Sequence, residues 1–366
     1  MNFYMPAKLY TGKDVLSLHK DELAELGDVC YIVTGSSSAK KSGALDAVIS
    51  VLDTCGISSH IYDKIAPNPT VDSCMEAGRD ANIKGARFII GIGGGSAMDA
   101  AKATAVFASN PTLDESTFYS TKWDVDPLPI VLVGTTAGTG SEVTNVSVLT
   151  DSAHRKHSLH DKRMYASLSF GDPSFTMSLP SSVTLSTGID VLAHCTESYF
   201  CKKANDISKA FAVRGIKLLY SPLFEAASGA ELSFSQRQQL YDASILGGLA
   251  ICVTGTAFPH NVGYYLTEKY NVPHGIACAT FLPELLNYVS AVDESDSDAF
   301  YESLGLEKED LIDLIEKCLP YSDIEMSEEE IALALPRWEN NNSVKNTVGN
   351  VTVDDIGQIL RNKFLK

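Results

Sequence analysis

The sequence predicts an α/β N-terminal domain built on a parallel sheet, followed by an all-helical C-terminal domain. Three observations predict it. Short β-branched runs alternate with helical stretches through the first half of the chain, three of those runs end in Gly/Ser/Thr-rich loops, and from about Ser178 helical periodicity alone continues. Strand, helix, strand in that rhythm gives parallel strands with helices on the sheet faces. Ligands of such sheets bind beyond the carboxyl ends of the strands.

Val29–Thr34 reads as a buried strand that runs into Gly35-Ser36-Ser37-Ser38, with Lys40 and Lys41 close behind and a helix to about Leu52. A second strand lies around His60-Ile61-Tyr62, and the turn Pro67-Asn68-Pro69-Thr70 starts the next helix. The third strand, 87–92, ends in Gly93-Gly94-Gly95-Ser96, with a helix from Ala97. The fourth, 129–133, ends in a loop from Gly134 to Glu142 that is rich in Thr, Gly and Ser. Beyond Asp172-Pro173 the periodicity predicts helices over 206–220, 235–253, 274–289 and 310–319, which divides the chain into domains 1–177 and 178–366. At 366 residues two domains are expected, since single cores rarely grow past about 250–300 residues. The acidic stretches 293–298 and 327–330 read as solvated turns and helix starts.

A net charge of −17 argues against nucleic acid or an anionic membrane as partner. No uninterrupted apolar run approaches the roughly 20 residues that span a bilayer, and Met1-Asn2-Phe3-Tyr4-Met5-Pro6 lacks the basic and apolar regions of a signal peptide. Eight cysteines without any Cys-x-x-Cys, most in apolar surroundings, fit reduced core thiols in a cytoplasmic protein.

The loops carry the first chemistry. In Gly93-Gly94-Gly95-Ser96 the missing Cβ atoms let backbone approach an anion, and the N–H groups opening the helix can donate to a pyrophosphate. The Thr135-to-Ser141 loop adds hydroxyl donors at a neighbouring strand end, whereas tight strand–helix turns also use glycines for packing alone. Lys156 can reach a ribose or phosphate or simply lie on the surface. An NAD site usually presents a carboxylate to the adenosine ribose. Ser36-Ser37-Ser38 with Lys40 and Lys41 has no acid and two cations, which favours NADP(H).

The second chemistry is in the helical half. Asp190 and His194 are four residues apart in Gly188-Ile189-Asp190-Val191-Leu192-Ala193-His194, so a helix puts carboxylate and imidazole on one face. Their apolar or small neighbours suit a buried cation better than a hydrated surface pair. His260 and His274 lie in a second polar, glycine-dotted segment, and one carboxylate with three imidazoles suits a divalent transition metal. The same spacing also fits a satisfied core pair, with His260 buried and hydrogen-bonded and His274 in a turn.

These residues resemble the iron-containing, or group III, alcohol dehydrogenases over essentially the whole chain. The resemblance rests on Asn68-Pro69-Thr70, Gly93-Gly94-Gly95-Ser96 with Asp99 and Lys102, and Thr135-Thr136-Ala137-Gly138-Thr139-Gly140-Ser141-Glu142-Val143-Thr144-Asn145. It continues in Asp172-Pro173, in Thr187-Gly188-Ile189-Asp190 through His194 and Glu197, and in Pro273-His274-Gly275. It implies a Rossmann-like domain and an all-helical domain in a dehydroquinate synthase-like architecture, with the active site in the cleft between them. It places metal ligands on Asp190, His194, His260 and His274, and cofactor contacts on Asn68, Gly94, Gly95, Ser96, Thr135, Thr136, Asn145 and Lys156. It also implies Fe2+ in preference to Zn2+, with Zn2+ left open, a homodimer of the kind common in the family, and NADP(H) over NAD(H), because NAD-preferring members tend to carry an aspartate at the position of Gly35. Where many members have a further histidine, this chain has Tyr264, which resembles 4-hydroxybutyrate dehydrogenases of the family; Tyr264 either donates a hydrogen bond to substrate or fills the pocket.

The expected reaction is reversible hydride transfer between a small aldehyde or primary alcohol and the nicotinamide, with the metal polarising the substrate oxygen. Two rivals are a dehydroquinate synthase-like metal lyase, disfavoured because the ligand-bearing segments lack basic clusters, and a non-catalytic nucleotide-binding protein, disfavoured because all four ligands are present.

Overall fold

The computed structural model of the chain describes residues 3–320 and 324–366. The chain divides into two compact units, one of Tyr4–Pro180 with Leu232–Gly248, the other chiefly of Ser181–Glu231 and Leu249–Lys366.

The first unit is built on a six-stranded, all-parallel sheet. Its strands are β1 (Lys8–Thr11), β2 (Val29–Thr34), β3 (Ser58–Tyr62), β4 (Phe88–Gly93), β5 (Ile130–Gly134) and, after a two-stranded antiparallel hairpin of β6 (Val146–Thr150) and β7 (Lys156–His160), β8 (Leu168–Gly171). They lie in the order β1-β8-β5-β4-β2-β3. The central strands read as unbroken apolar runs because both faces are covered. Tyr31, Val33, Ile89, Ile130 and Leu132 belong to one core and Cys30, Ile32, Ile90, Val131 and Val133 to the other. The chain builds outward from β2 to β3 and then returns to lay β4 on the other side of β2. The order therefore reverses between β2 and β4, and that is where ligands bind on doubly wound sheets.

The sheet has two strands that the sequence pattern does not announce. Lys8–Thr11 is a four-residue edge strand with no buried residue, and Leu168–Gly171 is buried but carries Ser169 and Gly171 in only four positions. The hairpin strand Lys156–His160 is mostly polar and equally silent.

The second unit is helical. Ser181–Tyr199 packs with Asp206–Ala227, and Phe258–Tyr270, His274–Ala279 and Leu282–Val292 follow one another closely. Asp206–Ala227 continues through Pro222, beyond the expected stop at residue 220. The expected helix 274–289 is broken after Ala279 and restarts at Leu282, with Pro283 in its first turn, where the missing N–H costs nothing. His274–Val292 has the length and hydropathy of a bilayer span, but it contains this break, and more than half of it is buried. Both acidic stretches are helix starts: Asp293 accepts from the Asp296 N–H and Ser327 from the Glu330 N–H.

Candidate metal centre and cofactor loops

In the sheet unit, register brings the loops together. Thr34 on β2 lies beside Ile92 on β4, and Gly93 beside Gly134 on β5, so the segments after all three strands emerge at one edge. Helix Gly95–Ser109 starts there with no side-chain cap, which leaves its amino end to an anion. A Cβ on Gly94 would lie 2.9 Å from Thr136 Oγ1, and one on Gly95 2.6 Å from Thr139 Cγ2, so only glycine lets these loops touch. Asn68 adopts a left-handed conformation (φ 55°), and its N–H donates to Ser96 Oγ at 3.4 Å. Thr135 Oγ1 is buried with no hydrogen-bond partner among the described residues. Ser36, Ser37 and Ser38 are exposed beyond β2. Lys40 nearby pairs with Asp63 at 3.3 Å.

A buried network fixes this edge. Lys102 Nζ donates to Ser141 O at 2.8 Å, Ser141 Oγ at 2.7 Å and Val146 O at 2.9 Å. Asp99 accepts from Ser141 Oγ at 2.8 Å and from the Val148 N–H at 3.0 Å. Burial pushes the Asp99 carboxyl up, opposed by the charges of Lys102 and Lys156 and by these hydrogen bonds. Asn145 flanks β6, its carbonyl accepting from the Asp161 N–H, and Lys156 opens β7. The sequence assigns Asp99 and Lys102 no role, and the structure makes them the tie between helix Gly95–Ser109, the Thr/Gly loop and the hairpin.

In the helical unit three helices converge. Ser181–Tyr199 carries Asp190, His194 and Glu197, Phe258–Tyr270 carries His260 and Tyr264, and His274–Ala279 carries His274 and Cys278. Gly275 makes the approach possible, since a Cβ there would lie 1.9 Å from Ser186 O. Asp190 Oδ1 is 3.5 Å from His260 Nε2 and 3.9 Å from His274 Nε2. The His194 ring stacks on His260 at 4.6 Å. The four residues predicted from the sequence are therefore brought together. The compact set of donor atoms, all within 4.8 Å of one another, is Asp190, His260, His274 and Cys278, with His194 beside it.

The electrostatics fit a cation. Burial pushes the Asp190 carboxyl up, yet His194, His274 and His260 outweigh it and hold the group well below the usual carboxylate range. Burial disfavours charge on His260, but Cys278, Glu197 and Asp190 raise it well above the usual imidazole range. Asp190 Oδ1 and His260 Nε2 are buried without hydrogen-bond partners among the described residues, although they face each other. Buried polar atoms are almost always satisfied, and a metal between them would satisfy both. Tyr264 is half-buried, its ring 5.4 Å from that of His274.

Two residues of this cage had a readable signal. Glu197 lies three residues after His194 on the same helical face, and Cys278 four residues after His274.

The family profile described as "Iron-containing alcohol dehydrogenase" matches residues 6–173, and "Fe-containing alcohol dehydrogenase family, C-terminal" matches residues 184–364. The long-chain-alcohol dehydrogenase 1 of Geobacillus thermodenitrificans is 34% identical over 288 residues, 78% of this chain and 72% of that protein. An iron-containing alcohol dehydrogenase of Thermotoga maritima superposes with a TM-score of 0.91 at 33% identity, covering 99% of this chain and 98% of the other. A sulfoacetaldehyde reductase of Bifidobacterium kashiwanohense, solved in complex with NAD+, superposes at 0.88 with 26% identity, covering 99% and 98%.

Proposed function

The chain belongs to the iron-containing alcohol dehydrogenase family, and from that premise we propose that it transfers a hydride reversibly between NADP(H) and a small primary alcohol or its aldehyde. One observation carries the reading at the level of residues. Asp190, His260 and His274, from three helices, turn their donor atoms toward one another, and the two closest, 3.5 Å apart, have no hydrogen-bond partner among the described residues.

Asp190, His194, His260 and His274 would hold a divalent metal, Fe2+ in this reading, since four protein ligands leave an open position more readily on iron than on tetrahedral zinc. When bound, the ion supplies Lewis acidity to the substrate oxygen. The other contributions are the chain's own. Asp190 enters as a carboxylate with no proton to lose. Glu197 holds the His260 ring, its Oε1 2.5 Å from Nδ1, so that Nε2 faces Asp190. Tyr264, one turn after His260, donates a hydrogen bond to the substrate oxygen.

Asn68, Gly94, Gly95, Ser96, Thr135, Thr136, Asn145 and Lys156 hold the dinucleotide. Exposed Ser36, Ser37 and Ser38, with Lys40 and Lys41 and no carboxylate at Gly35, suit a 2′-phosphate. The eight free cysteines support a reducing compartment, the cytoplasm.

The test is NADPH oxidation by anaerobically purified protein with a panel of short aldehydes, with and without chelator. Turnover that the chelator abolishes and Fe2+ restores is expected. Metal and nucleotide binding without turnover on any aldehyde would return the rival of a non-catalytic binding protein.

A further inference from the structure

Cys278 stands in the cage without a part in the reaction above. Its Sγ is 3.5 Å from His274 Nδ1 and 3.8 Å from Nε2, and it completes the compact donor set with Asp190 and His260. In a tetrahedral site with Zn–S near 2.3 Å and Zn–N near 2.1 Å, sulfur and nitrogen lie about 3.6 Å apart. Cys278 and His274 already hold that separation within a few tenths of an ångström. The oxygen–nitrogen distances from Asp190, 3.5 and 3.9 Å, are too long for direct hydrogen bonds; the first matches the spacing of about 3.4 Å between tetrahedral ligands, and the second reaches it when His274 moves in by about half an ångström. The two orphaned atoms, Asp190 Oδ1 and His260 Nε2, are more than nine-tenths buried and belong to the same set.

We propose that Cys278 is a metal ligand of this centre, and that with a borderline divalent cation such as Zn2+ or Co2+ its thiolate joins Asp190, His260 and His274 in a four-coordinate set. The thiol proton leaves to solvent as the sulfur–metal bond forms. Thiolate suits Zn2+ and Co2+ and the all-O/N set with His194 suits Fe2+, so one cage offers two donor sets of different softness. A set closed by sulfur leaves no open position for substrate, so the identity of the ion decides whether the site is open. This inference rests on the metal reading of the same residues, and the experiment separates the two.

Apoprotein titrated anaerobically with Co2+ answers both questions. Visible d–d bands report cobalt in the cage, and an intense near-ultraviolet thiolate-to-cobalt charge-transfer band reports sulfur bonded to it. Wild type is expected to show both, and Cys278→Ser to keep the visible bands and lose the near-ultraviolet one. Visible bands alone in wild type overturn ligation by Cys278 and leave the metal site standing. A near-ultraviolet band that survives in Cys278→Ser assigns the sulfur to another cysteine and also overturns it. No cobalt bands in folded wild type overturn the metal reading itself, and the proposal with it.

Discussion

Glu197 grips His260 from behind. Its Oε1 lies 2.5 Å from His260 Nδ1, while its Oε2 accepts the backbone N–H groups of Ala257 at 2.8 Å and of His260 at 3.4 Å. A fully buried carboxylate in that position holds a proton on Nδ1 and turns Nε2 toward Asp190, where Nε2 can bind a cation once its own proton is displaced. Burial pushes the Glu197 carboxyl above its ordinary range, and His260 with the two backbone donors offsets only part of that rise. Glu197→Gln is expected to weaken metal binding by about 10- to 100-fold without removing a ligand. Glu197→Ala should also lower stability by about 1–3 kcal/mol, because it strands two buried N–H groups. Metal competition against a chelator and thermal unfolding check the two effects, and unchanged affinity in the glutamine variant would remove Glu197 from the centre.

His274→Ala should abolish bound metal and turnover while NADPH still binds, because His274 belongs to the helical unit and the nucleotide loops to the other. Gly275→Ala is the companion. Its new Cβ would collide with Ser186 O, so helix His274–Ala279 must shift and metal occupancy should fall with every ligand intact. Metal analysis and nucleotide fluorescence read both variants. Turnover that survives His274→Ala would refute the site.

Lys102→Met removes the cation that ties Ser141 and Val146 to helix Gly95–Ser109 and leaves Asp99 buried beside them. Breaking a buried charge arrangement from one side costs about 3–5 kcal/mol. Denaturant unfolding should register that loss, and NADPH affinity should fall because the loop bearing Thr135 and Thr136 loses its anchor. A variant as stable as wild type would show that Lys102 is a bystander.

How much of this was legible follows from what each feature must do locally. β2, β4 and β5 are readable because burial on both faces demands continuous apolar runs, whereas Lys8–Thr11 needs only backbone pairing at an edge and leaves no pattern. Asp190 and His194 are readable because a helix converts a spacing of four into a shared face. That His260 joins them is a tertiary fact: the polar, glycine-dotted segment offers it as a candidate, and the resemblance favours it over a buried, hydrogen-bonded core histidine. Cys278 has the same spacing from His274, but a buried thiol among alanines reads as core until the neighbouring helices bring Asp190 and His260 to it. Pro222 suggests a helix end, yet it is buried inside Asp206–Ala227, where packing outweighs the missing hydrogen bond.

Glu330 makes a pH-dependent clamp on the helix that bears His260. It accepts from Tyr265 at 2.9 Å and from Tyr270, and pairs with Lys269 at 2.6 Å. Burial raises its carboxyl, but Lys269, Tyr270 and Tyr265 outweigh burial and hold it below the ordinary 4.5. A depressed folded pKa contributes stability above the unfolded value, and that stability is lost as pH falls through the folded value. Glu330→Gln should thus unfold earlier than wild type near neutral pH, by about 1 kcal/mol given the exposed lysine, and the gap should close as pH falls below the ordinary 4.5 and through the lowered folded value. Melting temperatures of both proteins across that range decide it; a gap that persists in acid would assign the effect to packing.

Gly35 is the position that tests the proposed NADP(H) preference. It follows β2 at the edge where the sheet order turns, and exposed Ser36, Ser37 and Ser38 continue from it. A Cβ at Gly35 would sit 3.2 Å from Ile65 O, tight but relieved by a few tenths of an ångström, so a side chain is tolerated there. In Gly35→Asp the carboxylate would accept from adenosine ribose hydroxyls and repel a 2′-phosphate. Opposed like charges cost several kcal/mol, so the kcat/KM ratio of NADPH to NADH should fall by about 100-fold or more. Lys40→Met should lower the NADPH term alone, by less, because Lys40 is exposed and shared with Asp63. Steady-state kinetics with both nucleotides measures each ratio. If Gly35→Asp slows both equally, the loop does not hold the ribose, and the proposed NADP(H) preference loses its support.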